Sequence, residues 1–294
     1  METISDPGVI QSVIAQERAH MKTIGFVPTM GSLHFGHMAL IEQARKECDF
    51  VVVSIFVNPT QFGPDEDFEK YPRSINRDLE LCENAQVDIV FTPNVKDMYP
   101  QGNDELVISF PEISKKLCGK FRPGHFDGVT TIMSKFLSII AADKCFMGKK
   151  DAQQLIIIQK MAKDMFLNTE IVGCETVRED TGLAMSSRNE YLSEEGKEKA
   201  SLIYTSLSNF KDNLVESVEK ANIEQLLEEQ IAILEKNDFE VQYFDFVDRN
   251  NLDPARKLSF GRYLLCVAVK YEGTRLIDNL FIDIDMNNEV SVDA

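Results

Sequence analysis

The stretch Phe26-Val27-Pro28-Thr29-Met30-Gly31-Ser32-Leu33-His34-Phe35-Gly36-His37 decides how the first half of this 294-residue chain is read. An apolar run stops at Pro28, and apolar residues then recur at Met38, Leu40, Ile41 and Ala44 with helical spacing. The pattern is strand, tight turn, helix, with two histidines flanking a glycine at the helix entrance. Such an entrance presents backbone N–H groups without partners inside the helix, together with the positive end of the helix dipole, and so suits a polyphosphate. Two imidazoles add side-chain donors, and Gly36 has no side chain to keep a nucleotide away.

Working outward, residues 23–28, 50–58, 87–92 and 106–110 read as strands, several of them continuously apolar, as in a parallel sheet covered on both faces. Helices are expected at 38–46 and 73–83, then at 133–141 and 152–166 around a strand at 144–147. This alternation predicts an α/β fold, a Rossmann-like doubly wound parallel sheet whose ligands sit beyond the carboxyl ends of the strands. After Leu183-Ala184-Met185-Ser186-Ser187-Arg188 the composition changes. Charged amphipathic helices are expected at 194–214 and 223–237, the second capped by Asn222, and half-buried strands at 239–248 and 263–271. The expected organisation is therefore a sheet domain over 1–184 and a smaller C-terminal α+β domain over 185–294, which could close as a lid. The polar ends, 1–7 and 286–294, read as frayed.

A net charge of −17 argues against general nucleic-acid or anionic-membrane binding, since both need a basic face. Cys48, Cys82, Cys118, Cys145, Cys174 and Cys266 include no Cys-x-x-Cys pair and read as small apolar residues in a reducing compartment. No basic-then-apolar leader opens the chain, and no apolar run approaches a membrane span, which points to the cytoplasm.

Three further constellations carry chemistry. In Val57-Asn58-Pro59-Thr60-Gln61-Phe62, two amides bracket a proline turn at a strand end, where they could hold a small ligand with a carboxylate and hydroxyls or cap the turn's own backbone. Gly148-Lys149-Lys150-Asp151 follows another strand. Its glycine admits a nucleotide, its lysines offset phosphate charge, and Asp151 suits ribose hydroxyls or a helix N-cap. It lacks the full P-loop pattern. Met185-Ser186-Ser187-Arg188-Asn189 sets two hydroxyls beside a guanidinium, a possible triphosphate clamp or a capped linker. His20 reads as a surface residue, His125 as a support for the glycine-rich loop at 122–128, and Asp65, Glu66, Asp67 and Glu69 as a solvated acidic loop from which Tyr71-Pro72-Arg73 could reach a site.

The histidine motif resembles the signature of the nucleotidyltransferase superfamily. With the amide turn, Tyr71-Pro72-Arg73, Arg122-Pro123-Gly124-His125-Phe126-Asp127-Gly128-Val129, Gly148-Lys149-Lys150-Asp151-Ala152-Gln153-Gln154 and Met185-Ser186-Ser187-Arg188-Asn189 in this order, the chain resembles the pantothenate synthetase (pantoate–β-alanine ligase) family. The resemblance runs from Gly25 through Arg275-Leu276-Ile277-Asp278-Asn279. It implies a homodimeric ligase that joins (R)-pantoate to β-alanine through a pantoyl adenylate made from ATP, with Mg²⁺ on the ATP oxygens.

The same resemblance implies that His34 and His37 contact the phosphates, with His37 as proton donor, and that Lys150 lies near the α-phosphate. Ser186, Ser187 and Arg188 would hold the outer phosphates, Gly148 and Asp151 the ribose, Val177 the adenine, and Met30 the length of the nucleotide. Gly31, Ser32, Leu33, Phe35, Gly36, Lys149 and Met185 complete the expected ATP contacts. Gln61 and Gln154 would bind pantoate, with Asn58 nearby and Pro28, Ile132 and Met133 against its dimethyl group. An aminoacyl-tRNA synthetase fragment, a nucleotide adenylyltransferase and a non-catalytic nucleotide-binding regulator are the alternatives. The acidic balance opposes the first, and the intact His34, His37, Lys150 and Arg188 oppose the last.

Overall fold

In the computed structural model, residues 1–64, 66–102, 106–216, 222–286 and 289–293 are described. The chain forms two compact units, one of Met1–Lys115, Arg122–Lys149 and Gln153–Cys174, the other of Lys116–Phe121, Lys150–Ala152 and Glu175–Ala294. The division expected at Ala184 comes earlier along the chain. The reason is local, since Arg178 and Ala184 bridge as antiparallel partners and draw the segment before Met185 into the second unit.

The first unit holds a six-stranded sheet of β1 (Glu2–Ile4), β2 (Ile24–Thr29), β3 (Phe50–Ile55), β4 (Ile89–Phe91), β5 (Lys144–Gly148) and β6 (Glu170–Cys174). Its order is β1-β4-β3-β2-β5-β6 and every pairing is parallel. The chain runs outward from β2 through β3 and β4, then returns to β2's other side at β5, so the carboxyl ends of β2 and β5 flank the switch point where such sheets take ligands.

The helices of this unit are α1 (Pro7–Ala19), α2 (Phe35–Glu47), α3 (Ile75–Asn84), α4 (Val95–Met98), α6 (His125–Ile140) and α7 (Ala152–Asp164), the short α5 (Cys118–Phe121) belonging to the second unit. Alternation along β2 sorts the faces. Val27 packs with Leu40, Ile41 and Ala44 of α2 and Cys82 of α3. On the other face Phe26, Phe56 and Phe91 surround Phe136 of α6 edge-on, at centroid distances of 5.7, 6.1 and 6.1 Å. Burial pushes the Cys48 thiol up to about 11 and the Cys82 thiol up to about 12, so near neutral pH both stay protonated in this core. All six cysteines are free.

The second unit has α8 (Glu194–Ala200), α9 (Leu202–Glu216) and α10 (Ile223–Lys236) with an antiparallel sheet of β7 (Glu240–Asp248), β8 (Gly261–Tyr271), β9 (Thr274–Ile284) and β10 (Val290–Asp293) in the order β10-β9-β8-β7. Leu207, Phe210, Leu214, Leu227 and Leu234 of the helices close over Phe244, Phe246, Leu265, Val267, Leu280 and Ile282. Asn222 caps α10 as expected, accepting from Gln225 N at 3.2 Å.

Several expectations are corrected. Residues 106–110 form no strand: Ile108 N donates to Thr131 Oγ1 (3.1 Å) and Ile108 O accepts from Thr130 Oγ1, so α6 hydroxyls replace a neighbouring strand. The helix read across 194–214 breaks at Ser201, whose N–H and hydroxyl both turn back to Glu198 O. The loop read at 122–128 is the start of α6, opened by Gly124 at φ +79°. Neither polar end is frayed where described: β1 pairs with β4, and β10 with β9. Among the described residues no helix is long and apolar enough to cross a membrane.

Candidate active site

The turn after β2 is locked from outside its own sequence. Gly31 (φ +81°) and Ser32 (φ +51°) both lie in the left-handed region. This orientation aims the N–H groups of Ser32 and Leu33 at the Asp78 carboxylate, each at 2.8 Å. Asp78 lies on α3 and is 1% exposed. A buried carboxylate accepting two backbone donors is strongly held, and here it holds the turn that feeds the histidines. Sequence inspection misses Asp78 because on α3 it reads as one more acidic residue of a solvated face. Asp78→Ala leaves two buried N–H groups unsatisfied, so unfolding by urea should show a loss of about 3 kcal/mol. Unchanged stability would show that the turn stands without Asp78.

His34 and His37 cap α2 reciprocally. His34 Nδ1 accepts from Gly36 N at 3.1 Å, and His37 Nδ1 accepts from His34 N at 3.3 Å. Their ring centroids are 4.1 Å apart. With Nδ1 accepting in both rings, the neutral imidazoles carry their protons on Nε2. Each therefore presents an N–H donor while the helix keeps its cap. Phe35, between them, is 74% exposed.

The amide turn lies in the same unit. Asn58, 1% exposed, donates from Nδ2 to Gln61 Oε1 (3.1 Å) and to Gly128 O of α6 (3.2 Å), while its Oδ1 accepts from Thr60 Oγ1 (3.0 Å) and Tyr99 Oη (2.6 Å). Gln61 Nε2 reaches Met30 Sδ at 3.3 Å, joining this turn to the one after β2. Asn58 thus serves its own turn, and the buried Gln61 amide bridges Asn58 and Met30. His125, read as a support for its own glycine-rich loop, instead reaches the amide turn, with Nδ1 2.8 Å from Gln61 O. Glu66 departs from the solvated reading, since it pairs with Arg122, and Asp65 lies outside the described residues. Arg73 donates to Phe68 O at 3.0 Å and Tyr71 O at 3.3 Å, folding its loop upon itself. Pro28 stands on β2, while Ile132 and Met133 of α6 are each 4% exposed. Around Gly148, at the end of β5, an added Cβ would meet nothing within 4 Å. Lys149 follows it, and Gln154 lies half-buried on α7.

In the second unit, Val177 and Met185 face each other across a hairpin, Met185 N donating to Val177 O at 3.0 Å. Ser186 Oγ accepts from Arg188 N at 3.3 Å and caps the turn Ser187–Tyr191. Lys150 and Asp151 belong to this unit, and Asn279 Nδ2 donates to Lys150 O at 2.8 Å. Among the described residues no group of three His, Cys, Asp or Glu side chains is placed to hold a metal ion.

A parallel sheet with a histidine-capped helix at its switch point is the arrangement of a nucleotide-binding α/β protein, and its histidine motif is the one that resembles the nucleotidyltransferase signature. The family model for pantoate-beta-alanine ligase matches residues 2–281, and the chain belongs to that family. A pantothenate synthetase of Sulfurihydrogenibium sp. (strain YO3AOP1) is 46% identical over 280 residues, spanning 95% of this chain and 99% of that protein. One from Bacillus subtilis (strain 168) is 42% identical over 284 residues, spanning 97% and 98%. The crystal structure of pantothenate synthetase from Thermus thermophilus superposes with a TM-score of 0.86 at 38% identity, covering 95% of this chain and 99% of that one. The pantoate-beta-alanine ligase of Francisella tularensis, solved with beta-gamma ATP and beta-alanine, gives 0.77 at 37% identity, covering 95% and 97%.

Proposed function

We propose that this chain condenses (R)-pantoate with β-alanine in two steps driven by ATP. A pantoate carboxylate oxygen attacks the α-phosphorus, the bond from that phosphorus to the bridging oxygen breaks, and pyrophosphate leaves. The β-alanine amine then attacks the acyl carbon of pantoyl adenylate, loses its proton and expels AMP. The observation that carries the reading is the reciprocal His34–His37 cap, which puts the ring proton of each histidine on Nε2 at the entrance of α2.

The first step brings two anions together, so its barrier falls with positive groups that meet the charge shifting onto pyrophosphate. In this proposal His34 and His37 donate to the phosphates, His37 as proton donor, and Lys150 sits at the α-phosphate. Ser186, Ser187 and Arg188 hold the outer phosphates. The nucleotide lies along 30–37, its ribose on Gly148 and Asp151, its adenine by Val177, with Lys149 and Met185 alongside. Mg²⁺ arrives on the phosphate oxygens as part of the substrate. Gln61 and Gln154 bind pantoate, while Pro28, Ile132 and Met133 pack its methyl groups. The attacking carboxylate is already ionised near neutral pH and needs no strong base. A homodimer is part of the same proposal and rests on the family resemblance, and a cytoplasmic location is proposed with it from a cysteine pattern that includes no Cys-x-x-Cys pair.

Stoichiometry tests the reaction: each pantothenate formed should be matched by one AMP and one pyrophosphate. Release of ADP and phosphate would contradict it. Gln61→Ala should raise the pantoate KM by about tenfold or more, the cost of losing one hydrogen-bonding amide, with ATP affinity preserved. Weakened ATP binding with an unchanged pantoate KM would overturn the pocket assignment.

A further inference from the structure

Asp278 and Asn279 end the resemblance seen in the sequence, yet no role above uses them. We propose that this pair in β9 consists of positioning residues for two phosphate-directed segments, Asn279 for Lys150 and Asp278 for the hairpin that carries Val177 and 185–188. The proposal rests on the reading that Lys150 and Arg188 act on ATP.

Successive residues of a strand face opposite sides of the sheet, so one short stretch of β9 can grip two segments at once. Asp278 is 4% exposed and shares its face with Leu276, Leu280 and Ile282, which pack beneath the helices. Its carboxylate takes Arg178 Nη1 at 2.6 Å and Nη2 at 3.1 Å, a two-pronged fit that fixes direction as well as distance. The Arg178 guanidinium lies 3.7 Å from the centroid of the Tyr204 ring and donates to Gly182 O at 3.2 Å. Arg178 is thus held on three sides. It stands opposite Ala184 in the hairpin, one residue before Met185, so anchoring Arg178 anchors the strand that leads into Ser186, Ser187 and Arg188. Asn189 ties the far end, donating from Nδ2 to Glu179 Oε1 (2.8 Å) and Ala184 O (3.1 Å).

On the opposite face Asn279, 5% exposed, donates from Nδ2 to Lys150 O at 2.8 Å. A lysine carries its charge on a flexible four-carbon stem, so placement of its main chain sets where the ammonium can reach. The Asp278 carboxylate also accepts from Asn279 N at 2.8 Å, which couples the two grips. Displacing a catalytic charge by about 1 Å is enough to cost about a hundredfold in rate.

Pantoate-dependent pyrophosphate exchange in the full chain tests this. Asn279→Ala should lower the exchange kcat by about 10- to 100-fold, with both KM values within about twofold of wild type. Its melting temperature should move by no more than about 5 °C. In a Lys150→Ala background the same change should cost nothing further, because it acts only through Lys150. A merely structural asparagine would instead multiply the two losses. Since Asp278→Asn alone leaves Arg178 buried without its counter-charge, the second grip is tested by Asp278→Leu/Arg178→Leu, which removes both charges. That double variant should raise the ATP KM by about tenfold and add no loss to Arg188→Ala. Wild-type exchange in Asn279→Ala, or multiplied losses in both backgrounds, overturns the proposal. A disabled Lys150→Ala beside an intact Asn279→Ala refutes positioning alone, whereas wild-type exchange in Lys150→Ala refutes the role of Lys150 and this proposal with it.

Discussion

Lys150→Ala lowers pantoate-dependent pyrophosphate exchange by about 10²–10³-fold, the scale seen when one preorganised charge-stabilising group is removed from a transition state. Nucleotide affinity should change far less. In the proposed site ATP in its ground state would be held by the helix entrance, both histidines and the 185–188 segment, so losing one contact would leave most of the binding. In the role proposed for it, the Lys150 ammonium would matter most while charge moves from the α-phosphorus region onto departing pyrophosphate, and losing an interaction made chiefly there lowers kcat. Single-turnover measurement of adenylate with saturating pantoate separates the two effects. A variant that binds ATP tenfold more weakly but forms adenylate at the normal rate when saturated would make Lys150 a binding group only.

Gly128→Ala is the second large effect, and its origin is steric. A Cβ at this position of α6 would stand 2.4 Å from Thr60 O, 2.6 Å from Thr60 C and 2.7 Å from Gln61 Cα. All three are main-chain atoms of the amide turn, so no rotamer change relieves the clash, and α6 must move off the turn. That movement breaks the bonds from Asn58 Nδ2 to Gly128 O and between His125 Nδ1 and Gln61 O. Overpacking of this kind costs about 3 kcal/mol of stability, and a displaced Gln61 should raise the pantoate KM by about tenfold, as deleting its amide does. Gly148→Ala is the internal comparison, because nothing lies within 4 Å of its added Cβ and the fold should be untouched. Urea unfolding with pantoate kinetics decides the matter. Wild-type stability and an unchanged pantoate KM in Gly128→Ala would mean that α6 does not press on the turn.

The parts of this molecule that depend on local pattern were legible in the sequence. The β2–turn–α2 unit announces itself because an apolar strand, a glycine turn and a helical repeat follow one another in one short stretch, and the ligand end of a parallel sheet follows from that topology. Partners distant in sequence were not legible. Asp78 meets Ser32 and Leu33 across 46 and 45 positions, and nothing in the α3 sequence distinguishes a buried acceptor from its solvated acidic neighbours. Asn279 reaches Lys150 across 129 positions. The edge strand β1 escaped because three residues, two of them exposed, carry no alternation to read. The segment at 106–110 misled for the converse reason: it has strand-like composition, but the α6 threonines satisfy the backbone of Ile108. The two histidines were read as ligand groups, whereas the structure adds that each also caps the helix, which sets the tautomer.

The central claim is that an acyl adenylate forms before the amine is needed, and isotope exchange addresses it directly. With ATP, Mg²⁺ and (R)-pantoate but no β-alanine, the enzyme should move label from pyrophosphate into ATP, and omitting pantoate should abolish the exchange. Exchange that appears only when β-alanine is present would contradict the stepwise route and the roles assigned to His37 and Lys150 within it.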